Sequence, residues 1–248
     1  MEELEDGAAC GTDGCAPAGA AQAKPVAVGP LVDLSIVSDA ICPWCYIGKR
    51  RFEKALAILG PDFPIRVTWR PFELNPQMPK EGIERREYRL RKFGSLEHSA
   101  QLDAQVAAAG ADDGIKFRHD LMVRTPNTFD AHRLIWHAAR AEVQDAMLER
   151  LFRAYFSEGR DIGDAAVLAE LASEVGLDRD ATFAFLQGTE GTDDIRRDET
   201  FAQQAGISGV PSFIANGWKL FSGAQRPDSI ATVLRKVAEQ LQQPATAG

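Results

Sequence analysis

Cys42-Pro43-Trp44-Cys45 stands where a short apolar run gives way to a helical pattern, and that junction restricts the fold more than any other stretch. The run before it, Leu31 to Val37, is short, β-branched and closed by Ser38-Asp39, as a buried strand reads. The run after it, Tyr46 to Leu59, has apolar residues at Phe52, Leu56 and Leu59 with Ala55 and Ile58 beside them, which is helical spacing, while Lys49-Arg50-Arg51 reads as a solvated face. Cys42 therefore falls at a helix N-terminus, where unpaired backbone N–H groups and the helix dipole favour a thiolate. Cys45 lies one turn further in, is expected to be the more buried, and is close enough to close a disulfide. This pattern supplies a nucleophilic sulfur and its resolving partner.

Two other uses of the spacing compete. A zinc knuckle uses C-P-x-C pairs, and Cys10 and Cys15 could complete it. Such knuckles usually continue into a glycine-rich turn, whereas Cys45 is followed by an amphipathic helix. Two buried structural thiols would also fit, although Pro-Trp at a helix start is an odd choice for them. The expectation is redox chemistry with no bound metal.

The 248 residues suffice for one large domain or for a frame with an inserted layer. At 45% hydrophobic and 26% charged, the chain can bury a core. A formal net charge of −8 argues against nucleic acid or an anionic membrane surface as partner. No apolar stretch approaches the roughly 18 residues of a membrane span. The acidic start, Met1 to Asp6, has no apolar core of a secretory signal, so a cytoplasmic location is expected. In that compartment cysteines serve catalysis or metal more often than a disulfide framework.

Residues 1–29 are rich in Ala, Gly, Pro and acids and read as a disordered tail. Within it Cys10 and Cys15 are either incidental exposed thiols or an accessory redox pair that exchanges with Cys42. Residues 30–79 read as a β-α-β unit, its second strand at Ile65 to Arg70 parallel to the first. Pro71, Pro76 and Pro79 then lead the chain off the sheet. Across 80–190 only helical patterns are expected, including a charged amphipathic stretch from Ile83 to Phe93 and a helix start at Thr125-Pro126-Asn127-Thr128. Residues 191–242 read as a helix, the loop Ile207 to Pro211, an apolar strand, an Asn216-Gly217 hairpin and a last helix. Residues 243–248 read as a frayed end. Asn127 could be simply a cap, His132 simply a satisfied polar residue, and Pro211 either a cis proline or a plain strand-start proline. His98, His119 and His137 have no ligand spacing with the cysteines and are assigned no role.

This order is that of an α/β thioredoxin fold with a large all-helical insertion. The motifs agree beyond the fold. Ser38 to Arg50 with its Cys42-Pro43-Trp44-Cys45, Pro126-Asn127-Thr128 with His132-Arg133-Leu134, Gly206 to Phe213, and Ser222-Gly223-Ala224-Gln225 closely resemble the FrnE-like branch of the DsbA thiol–disulfide oxidoreductases. The resemblance spans about residues 31 to 240 and is specific, since separated motifs agree in order. It implies Cys42 as attacking thiolate, Cys45 as resolving thiol, and a cis Val210–Pro211 bond that sets the Val210 backbone beside the sulfurs for substrate pairing. Pro43 and Trp44 join the substrate-contacting set. The related branch of 2-hydroxychromene-2-carboxylate isomerase and kappa-class glutathione transferase lines its site with the helical segment, which implies second-tier roles for Asn127 and His132.

The resemblance implies an enzyme that exchanges disulfides with protein or small-molecule substrates, as monomer or homodimer. No bound cofactor is expected, and glutathione or another thiol is the expected co-substrate. The alternative is a glutathione-dependent isomerase or transferase acting on a small aromatic or polyketide-like molecule, although those relatives carry Ser where Cys42 stands. A third reading, a zinc-stabilised or chaperone-like binding module, would use all four cysteines.

Overall fold

The computed structural model describes residues 31–243. Cys10, Cys15 and the tails expected at 1–29 and 243–248 lie outside them, save for Gln243. The elements are β1 (Val32–Ser38), α1 (Pro43–Leu59), β2 (Ile65–Pro71), β3 (Ile83–Glu84), α2 (Arg85–Phe93), α3 (Leu96–Ala111) and β4 (Arg124–Thr125). They continue as α4 (Phe129–Ala139), α5 (Gln144–Glu158), α6 (Ala165–Ser173), α7 (Arg179–Gln187), α8 (Thr192–Gln204), β5 (Ser212–Ala215), β6 (Trp218–Ser222) and α9 (Pro227–Gln242).

The main sheet runs β2-β1-β5-β6. β1 and β2 are parallel, as a helical crossover between neighbouring strands gives, and β5 is antiparallel to β1 and to β6. In β1, Val32, Leu34 and Ile36 are buried in alternation with half-buried Asp33 and Ser35. Asn216 and Gly217 both have positive φ, which closes the β5–β6 hairpin as a primed turn. α9 packs on α1 and β1, and α1 also meets α3 and α5, so the site helix is held from both halves of the chain.

The segment between β2 and α8 is helical, with one departure. Ile83–Glu84 and Arg124–Thr125 pair as a small antiparallel sheet, and Arg85 N–H donates to the Val123 carbonyl at 2.9 Å. Two-residue strands carry no readable alternation, so the sequence pattern shows nothing of them. Thr125 belongs to this pairing, not to the helix start, and α4 begins four residues later at Phe129, with Thr128 as its N-cap. Among the described residues no helix is long and apolar enough to cross a membrane.

Candidate active site

β1 delivers the chain into a turn at Asp39 whose carboxylate is fully buried. Its oxygens accept from Ile41 N–H at 3.2 Å and from Leu74 N–H at 2.7 Å, so one side chain fixes both the entry to the cysteine motif and the loop after β2. Cys42 is the extended N-cap of α1, and Pro43 occupies the first turn, where a missing N–H costs no helical bond. Cys45 is fully buried, whereas Cys42 keeps 5% of its surface. Burial pushes the Cys45 thiol well up, the Cys42 sulfur beside it adds to the shift, and the Ser38 hydroxyl and Asp39 N–H oppose it. Both cysteines are free thiols.

The loop before β5 closes over Cys42. The Val210–Pro211 bond is cis, and Cys42 Sγ lies 3.6 Å from the Val210 carbonyl oxygen. Gly48 permits this approach, because a Cβ there would stand 2.8 Å from Pro211 Cγ. Pro211 therefore acts from behind, as a spacer between α1 and the loop.

Above Cys42 is a cavity of about 400 Å³, within the range of small-ligand sites. Cys42, Pro43, Trp44 and Val210 line one end, which brings together four residues expected from the sequence, and Trp44 is also 41% exposed. Cys45 is not among the lining residues. Apolar walls come from α3, α5 and the loop between α3 and β4, among them Val106, Met122 and Phe156. α2 contributes Arg85, Tyr88, Arg89, Lys92 and Phe93. His119 also lines the cavity; burial, reinforced by Arg85 and Arg89, outweighs the pull of Asp103 and holds its pKa below the ordinary imidazole value.

Asn127 and His132 are placed elsewhere. Asn127 donates to the Met78 carbonyl at 2.8 Å and accepts from Phe129 N–H at 2.9 Å, tying the loop after β2 to the start of α4. His132 is buried on α4 and sits 3.1 Å from the Phe72 carbonyl and 3.5 Å from Asp39 Oδ1. Burial disfavours its charge, but Asp39, with Glu73 and Glu199 behind it, outweighs this and raises its pKa. Neither residue lines the cavity, so each braces the loops that carry the site.

The expected wet face of α1 needs correction. Lys49 is 2% exposed and is paired with Glu53, Asp145 and Glu149. Arg50 pairs with Glu53 and Glu149, and Arg51 with Asp113 at 2.7 Å. These cations bind α1 to its neighbours and do not line the cavity beside Cys42. Among the described residues no three His, Cys, Asp or Glu side chains are grouped to hold a metal.

Sequence patterning assigns no site role to the cavity residues on α2 or to Asp103, reads Asp39 only as the close of the first strand, and gives His119 none. The available signal was the spacing of Arg85, Tyr88, Arg89, Lys92 and Phe93, which is that of one helical face.

A cysteine pair opening a helix, opposite a cis-proline loop on this mixed sheet, is the arrangement of thioredoxin-fold dithiol proteins. Residues 33–235 match the DSBA-like thioredoxin domain, and the chain belongs to that family. A solved structure of a probable DsbA oxidoreductase from Streptomyces coelicolor is 33% identical, with a TM-score of 0.78 over 88% of this chain and 94% of that one. The uncharacterized protein YwbO of Bacillus subtilis (strain 168) is 29% identical over 185 residues, which is 74% of this chain and 86% of that protein. The cytosolic disulfide reductase DsbM from Pseudomonas aeruginosa shares the fold at 21% identity, with a TM-score of 0.61 over 84% of this chain and 99% of that one.

Proposed function

We propose that this DsbA-like protein is a thiol–disulfide oxidoreductase in which Cys42 attacks and Cys45 resolves. The Cys42 thiolate displaces one sulfur of a substrate disulfide as a thiolate and forms a mixed disulfide with the other. Cys45 then gives up its proton, attacks Cys42 Sγ and releases the second substrate thiolate. Substrate gains two electrons, and the protein is left with a Cys42–Cys45 disulfide, which a thiol co-substrate such as glutathione returns to the dithiol. A single observation carries the reading: Cys42 opens to a cavity and to the Val210 carbonyl, while Cys45 is sealed beneath it with its thiol pushed up. A sealed sulfur reacts with its neighbour before it reacts with anything in solution.

Protein or small-molecule disulfides are the substrates in this reading, with no nucleic acid or membrane partner. A reducing cytoplasm favours reductase or isomerase duty. The cavity also gives a glutathione-dependent isomerase or transferase a place to bind its substrate, so the test separates the two. The full chain is equilibrated in glutathione buffers of graded ratio, alkylated and weighed. Interconversion of Cys42–Cys45 between dithiol and disulfide supports the oxidoreductase. Bound glutathione with no intramolecular disulfide overturns it in favour of the alternative.

A further inference from the structure

A helix face turned toward a cavity is ordinarily apolar, because unpaired charge there is costly. On α2 the face turned to the Cys42 cavity carries Arg85, Arg89 and Lys92, with Tyr88 and Phe93 between and beside them. Arg85 and Arg89 converge on one carboxylate, Asp103, at 2.9 and 2.6 Å. Among the described residues Lys92 meets neutral oxygens only, Tyr88 Oη at 2.6 Å and Asn75 Oδ1 at 3.2 Å. Asp103 is the one acid among the cavity-lining residues, so three cations face one anion. By contrast Arg91, on the outward side of the same helix, has its own partner in Glu87. The wall that shares the cavity with Cys42 therefore carries three cations on a single carboxylate.

We propose that this wall selects the substrate: the cavity takes small disulfides, and the thiols they yield, that bear a carboxylate or similar acidic group on an aromatic or otherwise apolar body. The acid lies against Arg85, Arg89 and Lys92, the body against Phe93, Val106 and Met122, and the disulfide reaches Cys42 Sγ. This rests on the exchange chemistry proposed above and uses the same two-electron step.

The test uses the full-length chain carrying Cys10→Ser and Cys15→Ser, pre-reduced and freed of reductant, in single-turnover stopped flow. Two aromatic disulfides of similar size are the probes: dithiobis(nitrobenzoate), with a carboxylate on each ring, and uncharged dithiodipyridine. The readout is the ratio of their second-order rate constants. Relative to the parent, Lys92→Gln should lower the ratio about fivefold and Arg85→Gln about tenfold, and Asp103→Asn should raise it, each changing the uncharged probe's rate by less than about twofold. High salt should slow only the anionic probe. Among the described residues Lys92 makes no carboxylate contact, so its substitution should leave folding intact and keeps the test decisive should Arg85→Gln unfold. A ratio unchanged across all three variants overturns the selecting wall while leaving disulfide exchange in place. Failure of both probes to convert Cys42 and Cys45 to a disulfide overturns the exchange reading, and the selecting wall with it.

Discussion

Lys49, Arg50 and Arg51 on α1 and Arg85, Arg89 and Lys92 on α2 are two basic stretches that meet opposite surroundings. Around the first, Glu53, Asp145, Glu149 and Asp113 supply a carboxylate for every cation. Around the second, Asp103 serves two arginines, and among the described residues Lys92 has no carboxylate partner. Lys49 is wholly enclosed, and its pairing is what makes the enclosure tolerable. The α2 cations border a cavity, where water or a ligand supplies what the protein does not. A compensated charge cluster holds the fold together; an uncompensated one beside a nucleophile is available to a substrate.

Substitutions can break this contrast in order of size. Lys49→Met leaves three carboxylates around an apolar stem. It should cost about 2 kcal/mol, somewhat below a fully enclosed pair because those acids keep some water, and lower Tm by about 4–8 °C in a thermal melt. Asp103→Asn leaves Arg85 and Arg89 facing each other without their shared anion, and should cost about 1 kcal/mol, or about 2–4 °C. Lys92→Met should leave Tm within about 2 °C of the parent, since it breaks only contacts with neutral oxygens. A large loss of stability in Lys92→Met, or none in Lys49→Met, would erase the distinction.

A third cluster sharpens the picture through pH. Burial and the neighbouring Glu199 push Glu73 up to about 7, against the pull of Arg196. His132 is also raised, its burial outweighed by Asp39 and the two glutamates. For both groups the folded protein holds protons that the unfolded chain releases. Their contribution is therefore present at lower pH and is lost as pH rises, through about 7 for Glu73 and above the ordinary imidazole value for His132. Tm should fall by a few degrees, about 2–4 °C, between pH 6.5 and 8, and Glu73→Gln should flatten part of that slope.

Much of the frame was legible because its signals are local. The β1 pattern, the cysteine pair at the head of α1, Asn216-Gly217 and the motif around Pro211 each declare themselves within a few residues. The compensation of charge was not legible. Glu149, which pairs with Arg50, is 99 residues away in sequence, so the α1 run reads as solvated until α5 is folded against it. The stretch from Ile83 to Phe93 reads as charged and amphipathic, yet the β3–β4 pairing that orients α2 rests on strands too short to see. His132 was noticed as a polar residue near the site, but its partner Asp39 sits on the other side of the cysteines, 93 positions earlier in the numbering of the chain.

The central claim is a division of labour between an open and a sealed sulfur, and trapping the mixed disulfide tests it most directly. In a chain carrying Cys10→Ser and Cys15→Ser, Cys45→Ser and Cys42→Ser are each treated with a small aromatic disulfide and mapped by peptide mass. The expected result is a stable adduct on Cys42 in the Cys45→Ser chain and none in the Cys42→Ser chain over the same interval. An adduct forming on Cys45 as fast as on Cys42 would contradict the account.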